Sequence, residues 1–277
     1  MTVDPAWKTA LRVAEDEVSL PLFRRLAIML DQQPSQVGDG DIIPLAWSAI
    51  LFPTLARQSE IGPDGHARHG DFIPTMPLPR RMFAGRTMEQ VRPIRIGARL
   101  TRRSTITSVT QKTGRSGQLI FVTITHEISG NDGLCFTERQ EVVFREEAAE
   151  AKGRKAADPM PVPHWTSRFS PDPVLLFRYS ALTFNSHRIH FDAPYAKGVE
   201  GYPGLVVNGG LTALKLLEFA RQTVGEAPTL YTVRAMQPLY AGEDVLLNGL
   251  PTDDGATFWA TNASNATAMI IKVGKFG

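Results

Sequence analysis

The sequence RPIRIG at residues 92–97 is echoed by QPLYAG at residues 237–242, and each copy leads into a stretch of alternating polar and apolar residues. Upstream of each copy stands a second matching pair, LFRRLA at residues 22–27 and LFRYSA at residues 176–181. Self-similarity in the same order along a chain indicates a duplicated structural unit. The sequence therefore predicts two related halves.

Both predicted halves begin with helical signals and continue as a series of strands. Ser19 is expected to cap the first helix, which has Pro21 in its first turn, and Gly225 is expected to end a helix over 209–224. The predicted strands lie near 98–111, 118–129, 133–145, 229–236, 243–252, 255–263 and 267–275. One long helix packed on a curved antiparallel sheet, made twice, is an α+β fold.

The same pattern predicts two domains, residues 1–150 and residues 151–277. A charged, Ala-rich and then Pro-rich stretch over 146–163 has the composition of an exposed linker between them. We expect the two sheets to pair edge to edge, because this would cover strand edges that are otherwise open to aggregation.

Composition and charge argue against several classes of function. The formal net charge of +2 gives no reason to expect bulk binding of nucleic acid or of a membrane surface. The single cysteine, Cys135, rules out an internal disulfide and suits a reducing compartment. The acidic N-terminal segment does not read as a signal peptide, and no stretch approaches the roughly 18 apolar residues of a membrane span. We therefore expect a cytoplasmic protein.

The segment FRYSALTFNSHRIHFDAPYA at residues 177–196 is the candidate active site. It contains His187 and His190, and histidine is the usual side chain for proton transfer near neutral pH. The echo places Asp31, Gln33 and Gln36 of the first half opposite Asn185, His187 and His190. Because histidines stand in only one copy, we expect one active half and one supporting half.

A second feature of the same half is GYPGLVVNGGL at residues 201–211, which leads from a Pro/Gly turn into a glycine-rich helix start. Unpaired backbone N–H groups at a helix N-terminus can bind a carbonyl oxygen that gains negative charge. A histidine base beside such an oxyanion site is what the hydration of an enoyl thioester requires. This combination predicts that chemistry.

The stretch YSALTFNSHRIH at residues 179–190 resembles the hydratase-2 motif of MaoC-like acyl-CoA hydratases. Its sequence is similar to those of the double-hotdog subgroup that contains mesaconyl-C4-CoA (3-methylfumaryl-CoA) hydratase and itaconyl-CoA hydratase. The resemblance extends over roughly residues 17–275. It implies a double-hotdog fold, a homo-oligomer and an acyl-CoA substrate without a further cofactor. It also implies that His190 is the base, that Asn185 takes the place of the motif's aspartate and that Gly209 donates the oxyanion hydrogen bond.

Two positions depart from the general motif. Asn185 replaces its aspartate, although the similar subgroup also has asparagine there. An amide cannot accept a proton, so Asn185 is expected to hold the attacking water while His190 transfers the proton. Asn208 stands where the family usually has a histidine. Asparagine suits a helix N-cap, and its effect on activity or substrate preference is left open.

Other residues are candidates for substrate binding. His187 is either a second acid/base group or a support for the local turn. Arg188 either pairs with a substrate carboxylate or a CoA phosphate, or faces solvent. Arg80 and Arg81 are predicted in a loop that the duplication does not repeat and are expected to shape the site. Tyr179 is expected in the core with its hydroxyl near the site.

These observations predict the reversible hydration of a 2-enoyl-CoA thioester. The resemblance and the spare arginines favour a C5 dicarboxylic acyl group, such as the mesaconyl or itaconyl group. Two alternatives remain at this point, namely thioester hydrolysis and non-catalytic binding of acyl-CoA. No metal is predicted, because Asn185, His187 and His190 do not form a recognisable ligand set.

Overall fold

A computed structural model of the chain describes residues 5–68, 72–74, 76–78, 80–114, 117–146 and 160–274. The strands are β1 (Leu11–Glu17), β2 (Ile42–Ile43), β3 (Arg80–Gln90), β4 (Ile94–Arg95), β5 (Arg99–Gly114), β6 (Gly117–Gly130), β7 (Gly133–Arg145), β8 (Trp165–Phe169), β9 (Leu230–Ala235), β10 (Val245–Thr252), β11 (Gly255–Thr261) and β12 (Thr267–Val273). The α-helices are α1 (Leu20–Met29), α2 (Pro173–Leu182), α3 (Ala193–Gly198) and α4 (Gly209–Val224). Within these residues, no helix has both the length and the apolar character that crossing a membrane requires.

Ten of the strands form one antiparallel sheet, in the order β1-β5-β6-β7-β3-β9-β12-β11-β10-β8. The first five strands in this order belong to residues 11–145 and the other five to residues 165–273. The two sets meet where β3 pairs with β9, so that Arg86 stands opposite Val233 and Met88 stands opposite Tyr231. This pairing covers one edge of each set.

Both sets of strands repeat one arrangement, which confirms a duplicated α+β architecture. In each, the first strand in sequence lies at the outer edge, a three-stranded meander follows, and the remaining strand lies at the seam. Gly97 and Gly242, which end the two echoed hexapeptides, both adopt a positive φ, of 90° and 86°. Their N–H groups donate to equivalent carbonyls, those of Val18 and Pro171.

The long helix differs between the two halves. The N–H of Ile96 donates to Asp41 O and that of Ala241 donates to Leu205 O, which makes these two places equivalent. In the second half, α4 begins at Gly209, four residues after Leu205, and continues to Val224. In the first half, four residues after Asp41, the described residues form only the short 3-10 helix Leu45–Ile50. The expectation of a long helix in each half is therefore met in the second half alone.

Helices α1 and α2 are equivalent, but with a shift of one residue relative to the sequence echo. The echo aligns Phe23 with Phe177, yet Phe23 is fully buried while Phe177 is 64% exposed. The burial pattern instead aligns Phe23 with Leu176, which is also fully buried. The equivalence of the two helices follows the buried positions, because burial of apolar side chains stabilises the fold, whereas an identical residue type at an exposed position does not.

The same shift corrects one of the expected pairs of equivalent residues. The N–H groups of Gln32 and Asn185 each donate to the carbonyl five residues earlier, so Gln32, and not Asp31, stands at the place of Asn185. Gln36 remains equivalent to His190, since both end a short 3-10 helix. The first half thus has glutamines at these two positions.

The sequence placed β5, β6, β7 and β9 to β12 to within a few residues, and it missed β1, β3 and β8. Arg80 and Arg81 consequently do not lie in a loop, because they begin β3 and pair with β7. A bulge between Phe83 and Gly85 interrupts the period of two on which a strand prediction depends. The predicted linker over 146–163 and the turn over 113–117 lie partly outside the described residues, and the domain boundary at residue 150 stays a prediction.

The seam offers a direct test of the fold. A Cβ at Gly85 would stand 2.5 Å from the carbonyl oxygen of Val233, so Gly85→Val must push β3 away from β9. We expect a loss of about 1–3 kcal/mol in the free energy of unfolding, measured by urea denaturation. Thr87→Val on the same strand is the control and should cost well under about 1 kcal/mol. Equal losses in the two variants would contradict this description of the seam.

Candidate active site

His190 is buried at the end of the 3-10 helix Arg188–His190. Its Nδ1 lies 2.7 Å from the carbonyl oxygen of Val206. A carbonyl can only accept a hydrogen bond, so Nδ1 carries the hydrogen and Nε2 of the neutral ring keeps its lone pair. The backbone thereby holds His190 in the tautomer in which Nε2 can act as a base.

The surroundings of His190 favour its neutral form. Burial lowers the pKa of His190, and the hydrogen bond to Val206 offsets part of this effect. A positive charge on His66 lowers the pKa of His190 further. Because only the neutral ring can accept a proton, this shift keeps the base form available on the acidic side of neutrality.

Helix α4 starts three residues after the carbonyl that holds His190. Gly209 is its first residue, and Asn208 occupies the N-cap position, as expected. The N–H groups of a first helical turn have no partner within the helix, and they lie at its positive end. A Cβ at Gly209 would meet no described atom within 4 Å, so there is open space beside this N–H group.

The side chains around the start of α4 are buried. The hydroxyl of Tyr179 lies against Gly210, where a Cβ would stand only 2.3 Å from the oxygen. Burial raises the pKa of Tyr179 to about 12, although the charge of Arg86 opposes this. The amide nitrogen of Asn208 lies 3.5 Å from Ser180 Oγ, and its Oδ1 has no hydrogen-bond partner in the described part of the chain. Asn208 therefore caps α4 by position, without a side-chain bond to the helix.

Asn185 lies two residues before His187 and bonds to its backbone. Asn185 Oδ1 accepts the N–H of His187 at 3.0 Å. Since a backbone N–H needs an oxygen as its acceptor, the bond fixes the orientation of the amide and leaves Nδ2 to bind a ligand. An NH₂ group can hold a water through the water's oxygen but cannot take its proton.

A loop of the first half, residues 61–67, packs directly on this motif. Ser186 Oγ donates to Gly65 O at 2.6 Å, and the N–H of Arg188 donates to Asp64 O at 2.9 Å. Gly65 has a φ of +91°, and a Cβ there would stand 1.8 Å from the carbonyl oxygen of Ser186. Only glycine fits this position, on both conformational and steric grounds.

This loop brings Asp64 and His66 to the motif, and no pattern in the sequence predicts either residue as part of the site. Asp64 Oδ2 and His66 Nδ1 lie 2.9 Å apart, and the His66 ring lies against that of His187 with 3.9 Å between centroids. The His187 ring in turn stands edge-on to His190, with 5.5 Å between centroids. Asp64 and His66 belong to a Gly/Pro turn without periodicity, so only the tertiary contact reveals them.

Asp64, His66 and His187 could also be considered as metal ligands. Each offers one ligand atom, and the three atoms lie within 4.8 Å of one another. A cation is not needed to explain this geometry, because the Asp64–His66 hydrogen bond and the contact between the two rings already account for it. The expectation that no metal takes part stays a prediction.

Arg188 is held within the protein. Its Nε and Nη2 donate to Asp192 Oδ2 at 3.0 and 2.7 Å, and its Nη1 donates to Pro63 O at 3.0 Å. The guanidinium also stacks on Tyr195, 4.0 Å from the ring centroid. These contacts make Arg188 a clamp between the docked loop and the motif, and they give its predicted contact with substrate no support.

Two other predicted substrate contacts involve side chains that lie outside the described part of the chain. They are those of Arg80 and Arg81, whose backbone begins β3. Their contact with substrate therefore stays a prediction.

Comparison with known proteins identifies related chains over nearly the whole length. Residues 46–241 match the family model described as hydroxyacyl-thioester dehydratase type 2. A protein of Chloroflexus aurantiacus, mesaconyl-C(4)-CoA hydratase, is 39% identical over 265 residues, which is 95% of each chain.

Solved structures with low sequence identity share the fold. A MaoC-like dehydratase from Phytophthora capsici superposes with a TM-score of 0.68 at 16% identity, over 97% of this chain and 96% of that one. A Mycobacterium tuberculosis protein described as having a double hotdog fold superposes with a TM-score of 0.53 at 13% identity, over 95% and 94% of the two chains. These superpositions confirm the predicted double-hotdog fold.

The docking of the loop can be tested at Gly65. We expect Gly65→Ala to release residues 61–67 from the motif, and the Arg188 amide should then exchange with deuterium faster. Gly97→Ala is a matched control, since Gly97 has a φ of +90° but a Cβ there meets no described atom within 4 Å. It carries the same backbone strain without the clash. Unchanged exchange at Arg188 in Gly65→Ala would contradict the docking.

The pKa of His187 predicts how stability changes with pH. Burial lowers this pKa from 6.5 to about 3, and the charges of His66 and His190 add to the effect. His187 binds a proton more readily in the unfolded chain than in the folded one. The neutral ring therefore makes its full contribution to the free energy of unfolding above pH 6.5, and this contribution is lost as the pH falls towards 3. We expect His187→Asn to show a smaller fall in melting temperature between pH 7 and pH 4.5 than the natural protein. Parallel curves would contradict the shift.

Proposed function

The chain belongs to the hydroxyacyl-thioester dehydratase type 2 family of MaoC-like hydratases, and on this premise we propose how its own residues catalyse the hydration of a 2-enoyl-CoA. Enzymes of this type are hydro-lyases, which add water to a carbon–carbon double bond or remove it. The observation that carries our assignment is the bond from His190 Nδ1 to Val206 O, three residues before the start of α4. This bond supports a neutral histidine near the N–H groups that begin α4.

His190 is the proton-transfer group of this proposal. Nε2 removes a proton from a water molecule as the water's oxygen attacks the β-carbon of the enoyl group. Asn185 donates from Nδ2 to the oxygen of that water, which orients it without competing for the proton. The protonated His190 then returns a proton to the α-carbon, so one group serves both steps. Microscopic reversibility assigns His190 the same two transfers in dehydration.

The N–H of Gly209 stabilises the charge that develops between the two steps. Attack at the β-carbon places negative charge on the thioester oxygen as an enolate. The first N–H groups of α4 can donate to that oxygen, and the open space beside Gly209 leaves room for it. The enolate is then protonated at the α-carbon, which regenerates the thioester carbonyl.

We further propose that the acyl group is a C5 dicarboxylic one, of the mesaconyl or itaconyl kind. The support is the relative that acts on mesaconyl-C(4)-CoA, because the identity of 39% extends over nearly the entire chain. Arginine side chains on the first half of the sheet supply positive charge for a second carboxylate.

Two further proposals concern the state of the protein in the cell. We propose a homo-oligomer, since four large apolar side chains in or near α2 and the motif are more than 45% exposed, and exposed apolar surface marks interaction sites; they are Val174, Phe177, Phe184 and Phe191. We also propose the cytoplasm, which suits a chain whose one cysteine is free and buried. Light scattering of the purified protein tests the first point.

One assay distinguishes the proposed reaction from its alternatives. Purified protein is incubated with an enoyl-CoA while the absorbance of the conjugated thioester and the release of free thiol are followed together. Loss of the conjugated absorbance without thiol is the result expected for hydration. Thiol release would make the protein a thioesterase, and binding without either signal would make it a non-catalytic acyl-CoA-binding protein.

The same assay tests the base. We expect His190→Ala to lower kcat by about 10²- to 10⁴-fold, which is the usual contribution of a general base. His164→Ala is the control, since His164 is exposed next to β8 and should leave kcat within about twofold. Circular dichroism confirms that both variants fold. A folded His190→Ala protein with natural activity would overturn the mechanism.

A further inference from the structure

A band of polar and charged side chains crosses the first half of the sheet on one face, and the mechanism above does not use it. On three neighbouring strands, two buried apolar residues of this face are separated by polar ones. The apolar residues are Leu100 and Ile106 in β5, Ile124 and Ile128 in β6, and Phe136 and Val142 in β7. The residues between them, with Arg86 of β3, form what we call the polar band: Arg86, Arg102, Ser104, His126, Glu138 and Gln140. It separates two apolar clusters of the core.

The second half of the sheet has no such band on its described residues. On the same face, Val233 pairs with Ile271, Ile271 pairs with Phe258, and all three are buried. Helix α4 covers this face, and its Phe219 ring lies 5.7 Å from that of Phe258. The polar band therefore lies in the half whose long helix is reduced to Leu45–Ile50. Charged groups there do not serve to pack a helix.

The charges of the band are not balanced. Arg86 forms an ion pair with Glu138 at 3.2 Å. Burial acts to lower the pKa of Arg86, but Glu138 and two tyrosines outweigh it, so that the pKa is raised overall. Burial lowers the pKa of Arg102, the charges of Glu138 and Asp16 oppose this, and within the described chain no carboxylate forms an ion pair with it. Arg102 is thus a positive charge of this face without an ion-pair partner among the described residues.

Arg102 is also short of hydrogen-bond partners. Its buried Nε has none among the described residues, and its Nη1 reaches Phe52 O only at 3.5 Å. The guanidinium stacks on the Phe52 ring, 4.8 Å from the centroid. A guanidinium has five N–H donors in a fixed fork that matches a carboxylate. Arg102 is thus held in place with its strongest binding capacity unused.

A small cavity opens on the band. It is lined by Arg86, Arg102, Glu138 and Tyr231 from the sheet and by Ser48 and Phe52 from the shortened helix region. Its volume of about 30 Å³ is enough for one or two water-sized groups, and therefore for a single carboxylate.

The electrostatic effect of Arg86 and the run of the chain both lead from the band to the candidate active site. The charge of Arg86 acts on Tyr179, whose hydroxyl lies against Gly210 at the start of α4. From Phe52, which stacks on Arg102, the chain continues through residues 53–65 to His66, which lies against His187. The charge of the band therefore reaches Tyr179, which contacts the start of α4.

We propose that the polar band is a subsite for a carboxylate on the acyl group of the substrate. Arg102 is its counter-ion, and Arg86, fixed by Glu138, is a second donor. This inference rests on the proposed hydratase function and names the residues that would make the enzyme prefer a dicarboxylic acyl group.

The test compares two esters that differ in one group. 3-Methylfumaryl-CoA and 3-methylcrotonyl-CoA carry a carboxylate and a methyl group, respectively, at the same carbon. The quantity measured is the ratio of kcat/KM for the first ester to kcat/KM for the second. A ratio within one variant cancels any general loss of folded protein. We expect the natural protein to prefer the carboxylate and Arg102→Met to lower the ratio by about 10- to 100-fold.

Two further variants make the result specific. Arg102→Lys keeps the charge and should restore part of the preference, although a lysine lacks the fork of the guanidinium. Arg103→Met removes the exposed neighbouring arginine and should change the ratio by less than about twofold. An equal loss for both esters in Arg102→Met, or no preference in the natural protein, would overturn the subsite alone. If the natural protein hydrates neither ester nor any other enoyl-CoA, the proposed function itself fails.

Discussion

Five residue pairs, from Gly85 opposite Arg234 to Glu89 opposite Leu230, join the two halves of the sheet. This seam sets how the two halves of the sheet lie, and the loop at residues 61–67 belongs to one half while the motif that it contacts belongs to the other. The approach of Gly65 to Ser186 leaves no room for even one methyl group, so a small slip of the seam would break the contact. The assembly of the candidate site therefore depends on backbone pairing some distance away, and on a glycine in β3 that lets the strands approach.

The duplication is most informative where its copies differ. The second half keeps α4, and its covered face is apolar. Among the described residues, the first half keeps only the 3-10 helix Leu45–Ile50 at the equivalent place, and its sheet carries partly buried charge there. Burying charge without a partner costs free energy, and natural proteins retain such groups where function requires them. One copy thus supplies the helix terminus and the base, while the other supplies space and charge.

The chemistry proposed for the site follows from burial and a few hydrogen bonds. Asn185 cannot share a proton with His190, so the state of the histidine is set by Val206 O, by burial and by the charge on His66. Burial and a positive charge on His66 favour the neutral ring, and the bond to Val206 O selects the tautomer in which Nε2 can act as a base. The amide of Asn185, fixed by the N–H of His187, contributes geometry without titrating.

The sequence alone determined the duplication, most strands of the sheet, the extent of α4 and the motif, because periodicity, glycine at turns and side-chain type are local properties of the chain. It misplaced Arg80 and Arg81, because a bulge interrupts the period of β3. It aligned α1 with α2 one residue out of register, because the residue types of the two hexapeptides match at positions whose burial differs. Only the tertiary structure brought Asp64 and His66 to His187 and left Arg102 without a carboxylate partner in the described chain. These contacts depend on which parts of the chain, far apart in sequence, meet once the strands pair. No local pattern in the sequence predicts that meeting.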